Sequence, residues 1–131
     1  MGESKASERL SIGQRCTAVL PVLLERHGDV LIIDQPEDHL DNAFVTSTLV
    51  ESLRKRPLGH QVVLSSHNAN IPVLGEADRV IYMTSNGRRG YYEHAGQLEE
   101  RQVVDAITSV MEGGTEAFSR RAEFYSEHGH A

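Results

Sequence analysis

The chain has a single cysteine, Cys16, no tryptophan, and aromatic residues make up only 5% of its 131 positions. A lone cysteine excludes an internal disulfide. No apolar run approaches the ~20 residues needed to span a bilayer; the longest candidate, Val19 to Leu24, is short and contains Pro21. The start carries no charged segment followed by an apolar one, so no secretion signal is expected and the cytoplasm is the expected compartment. Basic excess is lacking too. A formal charge of -6 argues against a generally basic nucleic-acid surface, which leaves Arg54 to Arg56, Arg88-Arg89 and Arg120-Arg121 as ordinary solvated pairs able to touch phosphates locally. The most telling absence is the phosphate cradle G-x-x-x-x-G-K-[ST]: the only lysines, Lys5 and Lys55, do not follow glycine. A chain of this length fits one compact domain with one core, burying about two-thirds of its extended surface.

What is present centres on Asp29 to Asn42, DVLIIDQPEDHLDN. Val30 to Ile33 reads as a strand of a parallel sheet, buried on both faces. Asp34 then sits at the carboxyl edge, where open α/β sheets place ligands, and a carboxylate there can hold Mg²⁺ directly or through water. Upstream stands LSIGQ, Leu10 to Gln14; downstream a second apolar run, Gln61 to Leu64, delivers Ser65-Ser66-His67.

Periodicity orders the rest. Ser11 caps a helix with Cys16, Val19, Leu20, Leu23 and Leu24 at helical spacing and Pro21 as its flaw, ended by His27-Gly28-Asp29. A second helix runs from about Asn42 to Lys55, with Phe44, Val45, Thr48, Leu49 and Leu53 on one face, closed by Pro57 and Gly59. Strand, helix, strand at this spacing implies parallel pairing with right-handed crossovers. Asn70 to Leu74 leads to a third apolar run, Arg79 to Met83, and Ser85-Asn86-Gly87 turns it into a hairpin with Tyr91 to His94. Gln97 to Met111 is helical in period, and Thr115 caps a last helix through Tyr125. Residues 1–9 and 127–131 are expected to be flexible, with one domain between them over 10–126.

The order LSxGQ, then hhhhD-x-P-x-x-x-LD, then a strand ending in S-H, resembles the ABC-type ATPases, especially their SMC-like and DNA-repair branch. The likeness spans roughly Leu10 to Tyr82. It implies the α/β fold of a three-layer P-loop NTPase: a parallel β-sheet with flanking helices, here a partial domain lacking the Walker A lobe. By the same resemblance Leu10, Ser11, Ile12, Gly13 and Gln14 are the signature, binding in trans the γ-phosphate of ATP held by an opposite subunit. Asp34 is the Walker B acid that holds Mg²⁺, Leu40 and Asp41 form the D-loop, and His67 is the switch histidine that senses the γ-phosphate. Implied partners are a Walker A-containing lobe or subunit in an ATP-dependent dimer, with nucleic acid reached through the parent assembly and no membrane. ATP hydrolysis in DNA repair, maintenance or defence is the implied role, with the isolated chain inactive; a transporter subunit fits less well.

The family's usual catalytic glutamate after the Walker B acid is here Gln35, which can orient water but cannot take its proton. Glu37 is the substitute base, and Gln35, Glu37 and His67 are the candidate catalytic residues. Each has a plain structural reading as well. Ser11 and Asp41 can be N-caps, Glu37 and Asp38 can be helix-start acids, and His67 can be an ordinary loop residue. Ser11 as cap would also leave backbone N–H groups at a positive helix end for a phosphate. Two rival functions remain: a non-catalytic module docking on a partner ATPase, and a metal-dependent phosphoesterase using Asp34, Asp38, Asp41 and His67. His128 and His130 have no fixed geometry in a terminal tail and are not a metal pair.

Overall fold

The computed structural model describes residues 11–25, 30–56 and 59–129. The chain is mixed α/β and divides into two compact units, Met1–Ser66 and His67–Ala131. The described strands form two sheets of two strands each, one parallel and one antiparallel.

In the first unit, α1 (Ile12–Leu24) begins at the predicted cap, Ser11, and continues through Pro21 to Glu25. The stop signal at His27 to Asp29 lies outside the described residues. Strand β1 (Leu31–Asp34) pairs in parallel with β2 (Val62–Ser65), in the register Leu31 with Val62 through Asp34 with Ser65. Between them α2 covers residues 42–54. Its ends are α-helical, Asn42–Phe44 and Val50–Arg54, and Val45–Leu49 is widened into π turns. Within that stretch Thr46 Oγ1 donates to the carbonyl of Asn42 (2.9 Å) and Ser47 Oγ to that of Ala43 (2.7 Å), side-chain competition of the kind that loosens a helical ladder. α1 packs on α2. Leu20 and Leu24 from one, with Val45, Leu49 and Val50 from the other, are buried, and Val45 and Leu49 are fully so.

One expectation fails in β1 and β2. Leu31, Ile33, Val62 and Leu64 are half-buried, but Ile32 is 74% exposed and Val63 49% exposed. Side chains alternate across a strand, so one face of the pair is covered and the other is open. Continuous apolar sequence in a parallel strand ordinarily means cover on both faces.

In the second unit a short helix, α3 (Asn70–Leu74), precedes β3 (Val80–Ser85) and β4 (Gly90–Gly96), which form the predicted antiparallel hairpin. Asn86 Oδ1 accepts from the amides of Arg88 (3.0 Å) and Arg89 (2.9 Å), and Gly87 takes a φ of 83°, which explains the turn. The helix α4 (Arg101–Met111) packs on the hairpin and buries Val103, Ala106 and Ile107. It starts later than its periodicity suggested, because Glu100 folds back and its Oε1 accepts from the Gln97 amide at 2.8 Å. The last helix, α5 (Thr115–His128), is capped by Gly114 at φ 93° with Thr115 as its first residue, and it reaches beyond Tyr125 into the segment expected to be a tail. His130 lies outside the described residues.

A candidate carboxylate site at the edge of the parallel strands

Equal lengths and parallel register bring Asp34 and Ser65 side by side at the carboxyl ends of β1 and β2. Asp34 Oδ1 accepts a hydrogen bond from Ser65 Oγ. A hydroxyl has one donor and two acceptor lone pairs, and the same Ser65 Oγ accepts from the backbone N–H of Gln35 at 3.0 Å. That N–H also reaches the Ser65 carbonyl at 3.0 Å. Ser65 thus ties down the acid and the residue after it.

Gln35 has φ 42° and ψ 61°, the left-handed region that a side-chain-bearing residue enters at a cost of roughly 1–2 kcal/mol. This reversal, with the fixed φ of Pro36 next, starts a 3₁₀ turn over Pro36–Asp38 in which Pro36 is buried. Gln35 is exposed and its side chain makes no capping bond. The turn carries Glu37 back toward the strand ends: it is half-buried, and its Oε1 accepts from Ser66 Oγ at 2.7 Å. Asp38 remains exposed.

The chain then passes through buried Leu40 to Asp41, whose Oδ1 accepts from the Phe44 amide at 2.7 Å, so the helix-cap reading of Asp41 holds. At α1 the cap is reciprocal. Ser11 Oγ accepts from the Gln14 amide (3.2 Å) and Gln14 Oε1 from the Ser11 amide (3.0 Å), a capping box. A box of this kind occupies the N–H groups of residues 11 and 14, while helix geometry gives Ile12 and Gly13 no intrahelical acceptor. Leu10 lies outside the described residues.

Asp34, Gln35, Glu37, Asp41, Ser65 and Ser66 therefore belong to one compact unit, and exposed His67 opens the other. Neither Ser65 nor Ser66 carries a motif that marks it as a site residue in the sequence. Counting the two strands to a common carboxyl end would have set Ser65 opposite Asp34.

The donor set here is hard oxygen only, from carboxylates and hydroxyls. Among the described residues no group of three His, Cys, Asp or Glu side chains is placed to hold a metal ion. Mg²⁺ is commonly bound through one or two carboxylates, with substrate phosphates and water completing the octahedron. Against known proteins, no family model, no curated sequence and no solved structure matches the chain.

Proposed function

We propose that the chain is the signature-to-switch portion of an SMC-like ABC ATPase, a partial three-layer P-loop domain that hydrolyses ATP when a Walker A lobe joins it. The observation that carries this reading is the Asp34–Ser65 pair at the carboxyl edge of two parallel strands, where sheets of this class receive ligands. Two further features support it. Ser11 caps a 13-residue helix at the LSIGQ segment, and the open face of Val30, Ile32 and Val63 is apolar surface that parallel strands ordinarily cover.

On this reading Asp34 binds Mg²⁺, which when present neutralises charge on the phosphates of ATP. Ser11, Gly13 and the amides beside them meet the γ-phosphate of ATP bound to the opposite subunit, and His67 is a γ-phosphate sensor. On this reading Glu37, which accepts from Ser66, is the group that acts on the attacking water in place of Gln35. DNA repair, maintenance or defence is the setting that the sequence resemblance suggests, with the cytoplasm as compartment.

The docking-module rival would use the same faces without turnover. The phosphoesterase rival, using Asp34, Asp38, Asp41 and His67, would leave the LSIGQ segment idle. Calorimetry with Mg²⁺ and ATP tests the partial-site reading on the chain alone. Weak binding and no turnover are expected, since the cradle and its lysine are missing; micromolar affinity with turnover overturns it.

A further inference from the structure

The basic clusters at Arg54 to Arg56, Arg88-Arg89 and Arg120-Arg121 look alike in sequence, and the fold uses them differently. Lys55 bonds to Glu51, Arg54 adds its charge to the same carboxylate, and Arg56 Nη1 donates to the Leu24 carbonyl at 3.3 Å. Arg120 pairs with Glu116 at 2.6 Å, and Arg121 pairs with Glu112. Arg88 and Arg89 remain. Both are exposed, and neither guanidinium has a hydrogen bond or ion pair among the described residues, although acids outnumber arginines in the second unit. Arg79, beside the other end of β3, is exposed and equally unpaired. From Arg79 to Tyr92 the chain carries no acid; Glu93 is the next.

The ends of the hairpin are therefore cationic, and the side between them is apolar. Cross-strand partners share a face, and Ile81 pairs with Ala95 and Met83 with Tyr92. Ile81 is 57%, Met83 60% and Tyr92 67% exposed, whereas Val80, Tyr82 and His94 on the other side are half-buried. The Tyr92 ring has no aromatic partner among the described residues. At the tip the backbone is fixed: Asn86 donates to the Arg89 carbonyl at 3.3 Å, and Ser85 Oγ accepts from the Gly87 amide at 3.0 Å. Little backbone ordering is then left for a ligand to impose.

We propose that this hairpin binds single-stranded nucleic acid, with Arg88 and Arg89 on phosphates and Tyr92 stacked on a base. Single strands are held in this way, by cations along the backbone and aromatic rings under the bases. With guanidinium at both ends, a second copy laid on the face in either direction sets like charges together, whereas a polyanion meets opposite charge at each end. Binding here needs neither Asp34 nor ATP.

The test is the fluorescence anisotropy of a labelled oligothymidylate of about 15 nucleotides, long enough for a single-strand site of ordinary size, titrated with the full 131-residue chain at several salt concentrations. Affinity should fall as salt rises. Arg88→Ala and Arg89→Ala should each take about 0.7 from the slope of log affinity against log salt, the share of one phosphate on a single strand. Arg120→Ala removes the same charge from a paired position and should leave the slope unchanged. Tyr92→Leu should weaken binding on the order of 10-fold and Tyr92→Phe should not, because stacking needs the ring and not the hydroxyl. Affinity weaker than about 10⁻⁴ M at low salt, the weak end of ordinary non-specific binding, overturns the proposal. An equal fall of slope in Arg120→Ala overturns it too, since net charge would then be the cause. So does Tyr92→Leu binding like the unsubstituted chain, which removes the stacking. Self-association of the chain that Tyr92→Leu breaks and the oligonucleotide does not displace would give the face to a second copy instead.

Discussion

Asp41 and Phe44 are joined by a 2.7 Å hydrogen bond from the Phe44 amide to the Asp41 carboxylate, which caps the helix that carries half of the first unit's core. An N-cap is worth about 0.5–2 kcal/mol. Asp41→Ala should therefore lower the unfolding free energy by about 1 kcal/mol in urea titration. Asp41→Asn, which can still accept, should cost only a few tenths on the same scale. If Asp41→Asn nevertheless weakens association with a Walker A lobe, the charge works across the dimer as well as in the cap.

Burial separates two apolar positions that look alike in sequence. Leu49 is fully buried, so Leu49→Ala should destabilise the unit by about 2–5 kcal/mol, through lost contacts and the cavity left behind. Ile32, 74% exposed, should tolerate Ile32→Thr within about 0.5 kcal/mol in the chain alone. Denaturant midpoints for the two variants check the contrast. A large loss at Ile32 would mean that its face is covered within the chain.

Gln35 is strained where glycine would not be. Gln35→Gly should be neutral or stabilising, whereas Gln35→Val should cost about 1 kcal/mol or more, because a β-branched residue resists positive φ. In a reconstituted ATPase, Glu37→Gln should slow single turnover on the order of 10²-fold and Gln35→Glu should change it little. The reverse pattern would assign the water to position 35.

A surface pair gives a small pH signature. Lys55 bonds to Glu51 at 2.5 Å, and that hydrogen bond, then the ammonium charge, holds the Glu51 carboxyl below its ordinary value. A carboxyl lowered in the folded state adds stability that is present above its unfolded pKa and fades as pH falls through the folded one. Carboxyl NMR titration should show Glu51 moving up in Lys55→Ala. No movement would remove the pair from the account.

Legibility in the sequence followed how local each determinant is. Ser11 and Asp41 declare themselves as caps because an N-cap needs only three or four residues of context, and both cap their helices. The parallel pairing of β1 with β2 and the hairpin of β3 with β4 follow from apolar runs and the Asn86-Gly87 turn. Exposure of Ile32 and Val63 was invisible, since an apolar run does not say whether a covering layer is present. The π turns at Val45–Leu49 and the left-handed Gln35 depend on competition between side chains and backbone that no period reports. Thr115 looked like a cap because threonine often is one, but Gly114 reaches a φ of 93° and starts the helix one residue earlier. The bonds of Ser65 and Ser66 to two acids about thirty residues upstream in sequence are tertiary, legible only once strand register is known.

Sedimentation of the chain mixed with a separate chain carrying the Walker A lobe, with and without Mg²⁺ and ATP, tests most directly whether this protein is the trans half of an ATP site. Association should appear only with nucleotide, and Ser11→Arg, which replaces the capping hydroxyl with a bulky cation, and Asp34→Asn should each abolish it. Nucleotide-dependent association that survives Ser11→Arg, or no association with nucleotide at all, would contradict the account.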